Sequence, residues 1–209
     1  MTSLTSARIS KALEPYGIVP SIKVAEQIKT YIELLLKWNR SISLTTITNI
    51  EEILRFHFGE SLLALSMLPV EKSRLADVGS GAGFPGIPLA MARSSLEITL
   101  IEPNTKKFTF LNEVIRSLEI HNAEAFRGRM ADFQHPVGRL DVATARALGQ
   151  FDELLGWARR QLTPTGTLIL WVGDEEAQKL AADPRFKWGM PQKIPGAARR
   201  SILLGSPGN

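Results

Sequence analysis

The stretch Leu75-Ala76-Asp77-Val78-Gly79-Ser80-Gly81-Ala82-Gly83-Phe84-Pro85-Gly86 constrains this chain more than any other. A short apolar run enters four glycines and leaves into a helix-forming segment, Ile87–Arg93. Glycines allow a sharp turn and let a ligand approach where a Cβ would collide. In α/β sheets such a turn lies beyond the carboxyl end of a strand, where ligands bind. The sequence after Pro69 repeats this alternation. Glu97–Ile101, Ala123–Arg127, Leu140–Thr144 and Thr167–Val172 read as strands. Between them, Pro103 opens a helix carrying Phe108, Leu111, Ile115 and Leu118 at helical spacing, and Phe151–Leu162 and Asp174–Ala182 read as further helices. Arg185–Met190 and Ser201–Leu204 are two last strands, the final one expected to run antiparallel. Strands alternating with helices predict an α/β fold, a mostly parallel sheet with helices on both faces.

Residues 1–69 have a different texture and predict a helical N-terminal extension to a core spanning 70–209. A short helix lies within Thr5–Glu14. Ser21 caps a helix to about Arg40, with Val24, Ile28, Tyr31, Leu35 and Trp38 on one face. Asn49 and Glu52 resemble a capping box opening a helix through Leu68, which Pro69 ends. Composition narrows the chemistry. No cysteine is present, so disulfides, thiolate metal sites and cysteine nucleophiles are excluded. Three histidines leave little for a metal site, and none is expected. No apolar run approaches the roughly 18–20 residues of a membrane span. Met1-Thr2-Ser3-Leu4 runs into a polar segment without a signal-peptide pattern, so a cytoplasmic protein, a monomer, is expected. The formal charge of +4 permits a polyanionic partner without requiring one.

Gly81-x-Gly83-x-x-Gly86 fits a dinucleotide fingerprint, and Glu102 at the end of the next strand suits ribose hydroxyls in either a dinucleotide or an S-adenosylmethionine enzyme. Two features favour S-adenosylmethionine. Asp77 stands two residues before the first glycine, within reach of a ligand's ammonium group directly or through water. Pro85 interrupts the turn where a pyrophosphate would need free amides at a helix N-terminus. A turn without a ligand is the remaining reading, in which Asp77 is a turn cap.

With these residues the chain resembles the bacterial small-subunit ribosomal RNA methyltransferase G family over about residues 30–205. Asp77–Gly86 with its Phe-Pro-Gly ending is the most specific part. Lys37-Trp38-Asn39, Lys106-Lys107 with Phe110-Leu111, and Asp141 with Ala145-Arg146-Ala147 support it. The resemblance implies a class I methyltransferase fold with a helical extension. It also implies methylation of guanine-N7 in 16S ribosomal RNA, with S-adenosylmethionine as donor. It places cofactor contacts at Gly79, Phe84, Met130-Ala131 and Arg146, beside Asp77, Gly81 and Gly83 of the turn and Glu102 after the next strand. The family's acidic residue at the second place of the dipeptide is Ala131 here, and Asp132 is the candidate substitute.

The substrate-side motifs depart further. Arg-His-x-x-Asp-Ser reads Phe56-His57-Phe58-Gly59-Glu60-Ser61, with Arg55 adjacent; Asn-Leu-Thr reads Ser43-Leu44-Thr45; Leu-Lys-Gly reads Trp171-Val172-Gly173. These keep open a diverged methyltransferase acting on another RNA or a small molecule, and a cofactor-binding module without turnover. Guanine-N7 carries an accessible lone pair and no proton, so no dedicated general base is expected. His57 is the one histidine considered for a substrate contact, against a packed, hydrogen-bonded alternative. Lys106, Lys107, Arg146, Arg199 and Arg200 are expected to hold phosphates at the carboxyl edge of the sheet. Trp38 and Trp157 fall on apolar helix faces and are expected in the core.

Overall fold

The computed structural model describes residues 4–135, 139–146 and 148–208. Ala147, part of the Ala145-Arg146-Ala147 motif, lies outside the described residues. Five strands form the parallel sheet: β1 (Ser73–Val78), β2 (Leu96–Ile101), β3 (Ala123–Phe126), β4 (Leu140–Arg146) and β5 (Leu162–Gly173). β8 (Arg200–Pro207) runs antiparallel to β5, as expected, with β6 (Phe186–Trp188) and the short β7 (Gln192–Lys193) on its other side. The order is β3-β2-β1-β4-β5-β8-β6. The connections reverse direction at β1, between β2 and β4, which opens the crevice at the carboxyl edge used by ligands in sheets of this kind.

Alternation along the strands divides the core in two. Leu75, Leu96, Ile98, Leu100, Val142, Ile169 and Ile202 face one side. There they meet α5 (Gly86–Ala92), α6 (Thr105–Ser117) and the N-terminal helices. Ala76, Val78, Ile101, Ala143, Leu168, Leu170 and Leu203 face the other side, under α7 (Phe151–Gln161) and α8 (Asp174–Ala181). The first cluster is continuous from α1 (Ser6–Leu13) and α2 (Ile22–Trp38) into the sheet, so the helical N-terminal part and residues after 70 share one core.

Local signals set most helix starts. The Ser21 side chain accepts from the Val24 N–H to cap α2, and Asn49 accepts from Glu51 and Glu52 to start α3 (Ile50–Glu52). The sequence predicts Pro103 in the first turn of α6, but the Asn104 side chain caps that helix and Pro103 precedes it. The predicted helix from Asn49 through Leu68 is not one regular element. It changes to a π-helix over Ile53–Gly59, returns to α in α4 (Glu60–Leu63) and tightens to 3₁₀ over Ala64–Met67. Around the widened turn, side chains take backbone carbonyls: Arg146 donates to Phe56, Ser61 to His57, and Trp171 to Glu60. Partners from β4 and β5 thus hold the widened turn in place.

Candidate active site

Beyond the carboxyl ends of β1, β2 and β3 lies a cleft of about 840 Å³. Val78 and Gly79 form one wall, Ile101 and Glu102 the next, and Met130 and Ala131 a third. Leu148, Gln150, Gly156, Trp157 and Arg160 close it from the α7 side. The size falls within the roughly 300–1,000 Å³ of small-molecule and cofactor sites.

The glycine turn is braced from within. Gly79 adopts φ +69°, and a Cβ there would lie 2.7 Å from the Leu148 side chain across the cleft wall. The Gly81 N–H donates to Glu102 Oε2 at 2.9 Å, and Asn104 N–H donates to Glu102 Oε1 at 2.8 Å. Glu102 therefore ties β2 to the turn while lining the cleft. Gly83, at φ +89°, packs under the Tyr31 hydroxyl, which donates to the Ala82 carbonyl.

Asp77 is fully buried and does not reach the cleft. Its Oδ1 accepts from Thr144 Oγ1 at 2.9 Å and its Oδ2 from the Gly86 N–H at 3.1 Å. Burial pushes its carboxyl up to about 6 against the pull of those hydrogen bonds. In this geometry Asp77 clamps both ends of the turn. Phe84 also faces away from the cleft. Its ring lies between Tyr31, stacked at 5.1 Å, and His57, stacked at 4.7 Å. The Asp132 carboxylate is exposed and accepts from the Arg129 N–H.

The nine residues expected around a cofactor therefore divide. Gly79, Glu102, Met130 and Ala131 line the cleft, and Gly81 borders it through Glu102. Asp77, Gly83, Phe84 and Arg146 stand behind it on the helical side. Arg146 Nη2 contacts Glu60 Oε2 at 3.2 Å and donates to the Phe56 carbonyl at 2.7 Å.

The substrate candidates divide too. His57 is buried, its Nε2 is 2.8 Å from Thr45 Oγ1, and burial next to Arg146 and Arg200 pushes its pKa down to about 3. Its burial and its contact with Thr45 fit the packed reading. Lys106 and Arg199 are exposed, and Lys107 is half-buried at the start of α6. Arg200 is not a free surface cation, because its Nη2 lies 2.7 Å from Glu60 Oε1. Trp157 is buried and Trp38 packs against Phe110, as expected of core residues.

Several residues of the site had no sequence signal. Thr144 and Tyr31 read as ordinary strand and helix positions, and only tertiary placement brings them to the turn. Arg129, Gln150 and Arg160 line the cleft from loops and α7 that no motif marked.

Residues 24–197 match the family described as rRNA small subunit methyltransferase G. The chain belongs to that family. It is 36% identical over 196 residues to the ribosomal RNA small subunit methyltransferase G of Alkalilimnicola ehrlichii, covering 92% of this chain and 87% of that protein. It is 37% identical to the protein of the same name from Laribacter hongkongensis, covering 84% and 86%. The fold is similar to that of a SAM dependent methyltransferase from Aquifex aeolicus, with a TM-score of 0.62 at 15% identity, covering 74% of this chain and 92% of that one. It is also similar to a ribosomal protein L11 methylase from Lactobacillus delbrueckii, with a TM-score of 0.61 at 18% identity, covering 74% and 79%. The sheet with its helices is thus a class I methyltransferase fold, and this member of the methyltransferase G family is an enzyme. Its cleft fits S-adenosylmethionine: a glycine wall without side chains, a carboxylate at the end of β2 and an apolar floor of Ile101, Met130 and Trp157. Among the described residues no helix is long and apolar enough to cross a membrane, and no cluster of side chains could hold a metal ion.

Proposed function

We propose that this protein transfers a methyl group from S-adenosylmethionine to N7 of a guanine in the 16S RNA of the small ribosomal subunit. The observation that carries the reading is the convergence of Gly79, Glu102, Met130 and Ala131 on one cleft at the carboxyl edge of the sheet. Gly79, Met130 and Ala131 are positions at which the family resemblance implies cofactor contacts, and Glu102 is the carboxylate that the strand ending read from sequence assigns to ribose hydroxyls. When bound, S-adenosylmethionine supplies an electrophilic methyl on a sulfonium.

The chain's own residues act by placement. Glu102 offers its remaining lone pairs to hydroxyl groups while fixing the turn through Gly81. Asp77, held by Thr144 and Gly86, keeps the turn from relaxing. Placement of donor and acceptor at reacting distance can supply about 7–11 kcal/mol of a barrier. Guanine-N7 needs no proton removed. His57 agrees with that demand: held at a pKa of about 3, it is neutral and engaged with Thr45.

The test is transfer from methyl-labelled S-adenosylmethionine to small-subunit RNA lacking the modification, followed by mapping of N7-methylguanine by chain cleavage. Label at one guanine N7 is expected. Glu102→Ala should weaken cofactor binding by roughly 1.5–3 kcal/mol, the range for hydrogen bonds to a charged group. Label at ribose or exocyclic positions, or on no RNA, would overturn the reading.

A further inference from the structure

Gly156 stands in the middle of α7, where glycine is less stable than alanine because it gives up more backbone freedom. Its φ is not in the left-handed region that favours glycine. At two other helical glycines the protein itself excludes a side chain. A Cβ would run into the Tyr16 ring at Gly59, and into Leu100 and Asp77 at Gly86. At Gly156 the nearest atom to a Cβ is Arg160 Nη1, at 3.6 Å, an ordinary contact with the end of a flexible side chain. Among the described residues nothing forbids alanine there, and the open space belongs to the cleft.

The place that Gly156 keeps open lies towards one end of that cleft. The sheet order β3-β2-β1-β4 puts Glu102, after β2, between the glycine turn after β1 and Met130-Ala131 after β3. α7 borders the Met130 end: Trp157 Nε1 donates to the Phe133 carbonyl at 3.4 Å, and both side chains pack in one cluster with Met130. With Glu102 on the ribose hydroxyls, the two arms of the cofactor leave the sugar on opposite sides. The charged amino-acid arm suits the glycine turn, where no side chain intrudes. The flat adenine suits the apolar end at Ile101, Met130 and Trp157. Arg160, one helical turn after Gly156, reaches back across the same place. It is exposed and, among the described residues, forms no ion pair.

We propose that Gly156 and Arg160 form the α7 wall of the site for the cofactor's adenine: the ring packs against the bare backbone at Gly156, and the Arg160 guanidinium stacks over it. Any side chain at Gly156 would take the ring's place. A guanidinium plane is weakly hydrated and stacks on aromatic faces, which suits an arginine that no carboxylate holds elsewhere. A phosphate of the RNA is the other group that Arg160 could meet. Gly156 favours the ring, because a phosphate held by a long side chain needs no gap in the helix surface. Neither residue is among the positions that the family resemblance implies. The inference concerns the cofactor alone and does not depend on which RNA is methylated.

The experiment titrates the full chain by calorimetry with S-adenosylmethionine and with methylthioadenosine, which has the adenosine without the amino-acid arm. Gly156→Leu should weaken both by about 10–100-fold, as overpacking does in a filled site. Gly156→Ala should melt about 2–4 °C above wild type, the usual gain of alanine over glycine in a helix, and yet bind both ligands more weakly. A merely structural glycine would not combine a higher melting temperature with weaker binding. Arg160→Gln should weaken both ligands by about two- to fivefold, the range of an exposed cation–π contact. Unaltered cofactor affinity in both glycine variants would overturn the wall. So would a loss of S-adenosylmethionine affinity with methylthioadenosine binding intact, which would put the amino-acid arm at Gly156. An Arg160→Gln protein that keeps its cofactor affinity but binds small-subunit RNA more weakly would overturn the stack and give Arg160 to a phosphate. Wild-type protein that binds no S-adenosylmethionine would overturn the cofactor reading and this wall with it.

Discussion

Asp77 and His57 are both buried behind the cleft, and burial moves them in opposite senses. Asp77 titrates at about 6 in the folded chain, against 3.8 without the fold. Its protonated form is favoured by folding, so its contribution is complete below about pH 3.8 and is lost as pH rises through 6. His57 titrates at about 3, against 6.5 without the fold. Its neutral form is favoured by folding, so its contribution is complete above pH 6.5 and is lost as pH falls towards 3. Between about pH 4 and 6 the two slopes, each about 1.4 kcal/mol per pH unit, oppose one another. Asp77→Asn removes one of them and keeps the turn satisfied, because the amide oxygen can accept from Gly86 and the amide nitrogen can donate to Thr144. Relative to wild type, Asp77→Asn should gain stability as pH rises from 4 to 6, by on the order of 2–3 kcal/mol in total. Denaturant unfolding at half-unit pH steps measures this. A difference between the two proteins that stays constant across the window would mean that Asp77 takes up no proton there. None of this was legible in the sequence: Asp77 stood out there by its spacing to the glycines, and a carboxylate reaching a ligand and one clamping a turn have the same spacing.

At the scale of elements, the glycine turn and the five parallel strands were legible because their signals are local: apolar runs, glycines and capping side chains. The π-helix was not. Its residues satisfy helical spacing, and the change in register depends on donors from Arg146 and Trp171 that sequence alone does not bring near. The link between α2 and the turn was hidden for the same reason. Tyr31 read as one apolar position on a helix face, yet its ring stacks on Phe84 and its hydroxyl holds the Ala82 carbonyl. α2 therefore supports the cofactor wall from behind. Tyr31→Ala should cost about 3–5 kcal/mol of stability, as for other buried aromatic truncations. It should also weaken S-adenosylmethionine binding, since the turn loses its backing. Tyr31→Phe keeps the stack and leaves one buried carbonyl short of a donor, at about 1–3 kcal/mol. Thermal unfolding and calorimetry on both variants separate the effects. If Tyr31→Ala is destabilised yet binds the cofactor as tightly as wild type, the stack supports the fold without shaping the site.

For the whole molecule, the texture change near residue 70 marks where the sheet begins, but the hydrophobic core crosses it. Ile28, Tyr31, Leu35, Leu54 and Phe58 belong to the same buried cluster as Leu75, Ile98, Leu100 and Val142. Arg146 and Trp171, from the sheet, donate to carbonyls of the N-terminal helices. Removing residues 1–69 would expose one face of the sheet with α5 and α6, and would leave Arg146 without Glu60. Breaking a buried ion pair by removing one partner costs about 3–5 kcal/mol by itself, a large share of the roughly 5–15 kcal/mol that holds a domain together. We therefore expect the full chain to unfold in one transition, coincident by tryptophan fluorescence and by far-ultraviolet circular dichroism. The fragment 70–209 should lack a cooperative transition and bind no S-adenosylmethionine, although every cleft-lining residue is present in it. A fragment that melts cooperatively and binds the cofactor would show that the helical part is separable, and that α2 and the π-helix act on the RNA side alone.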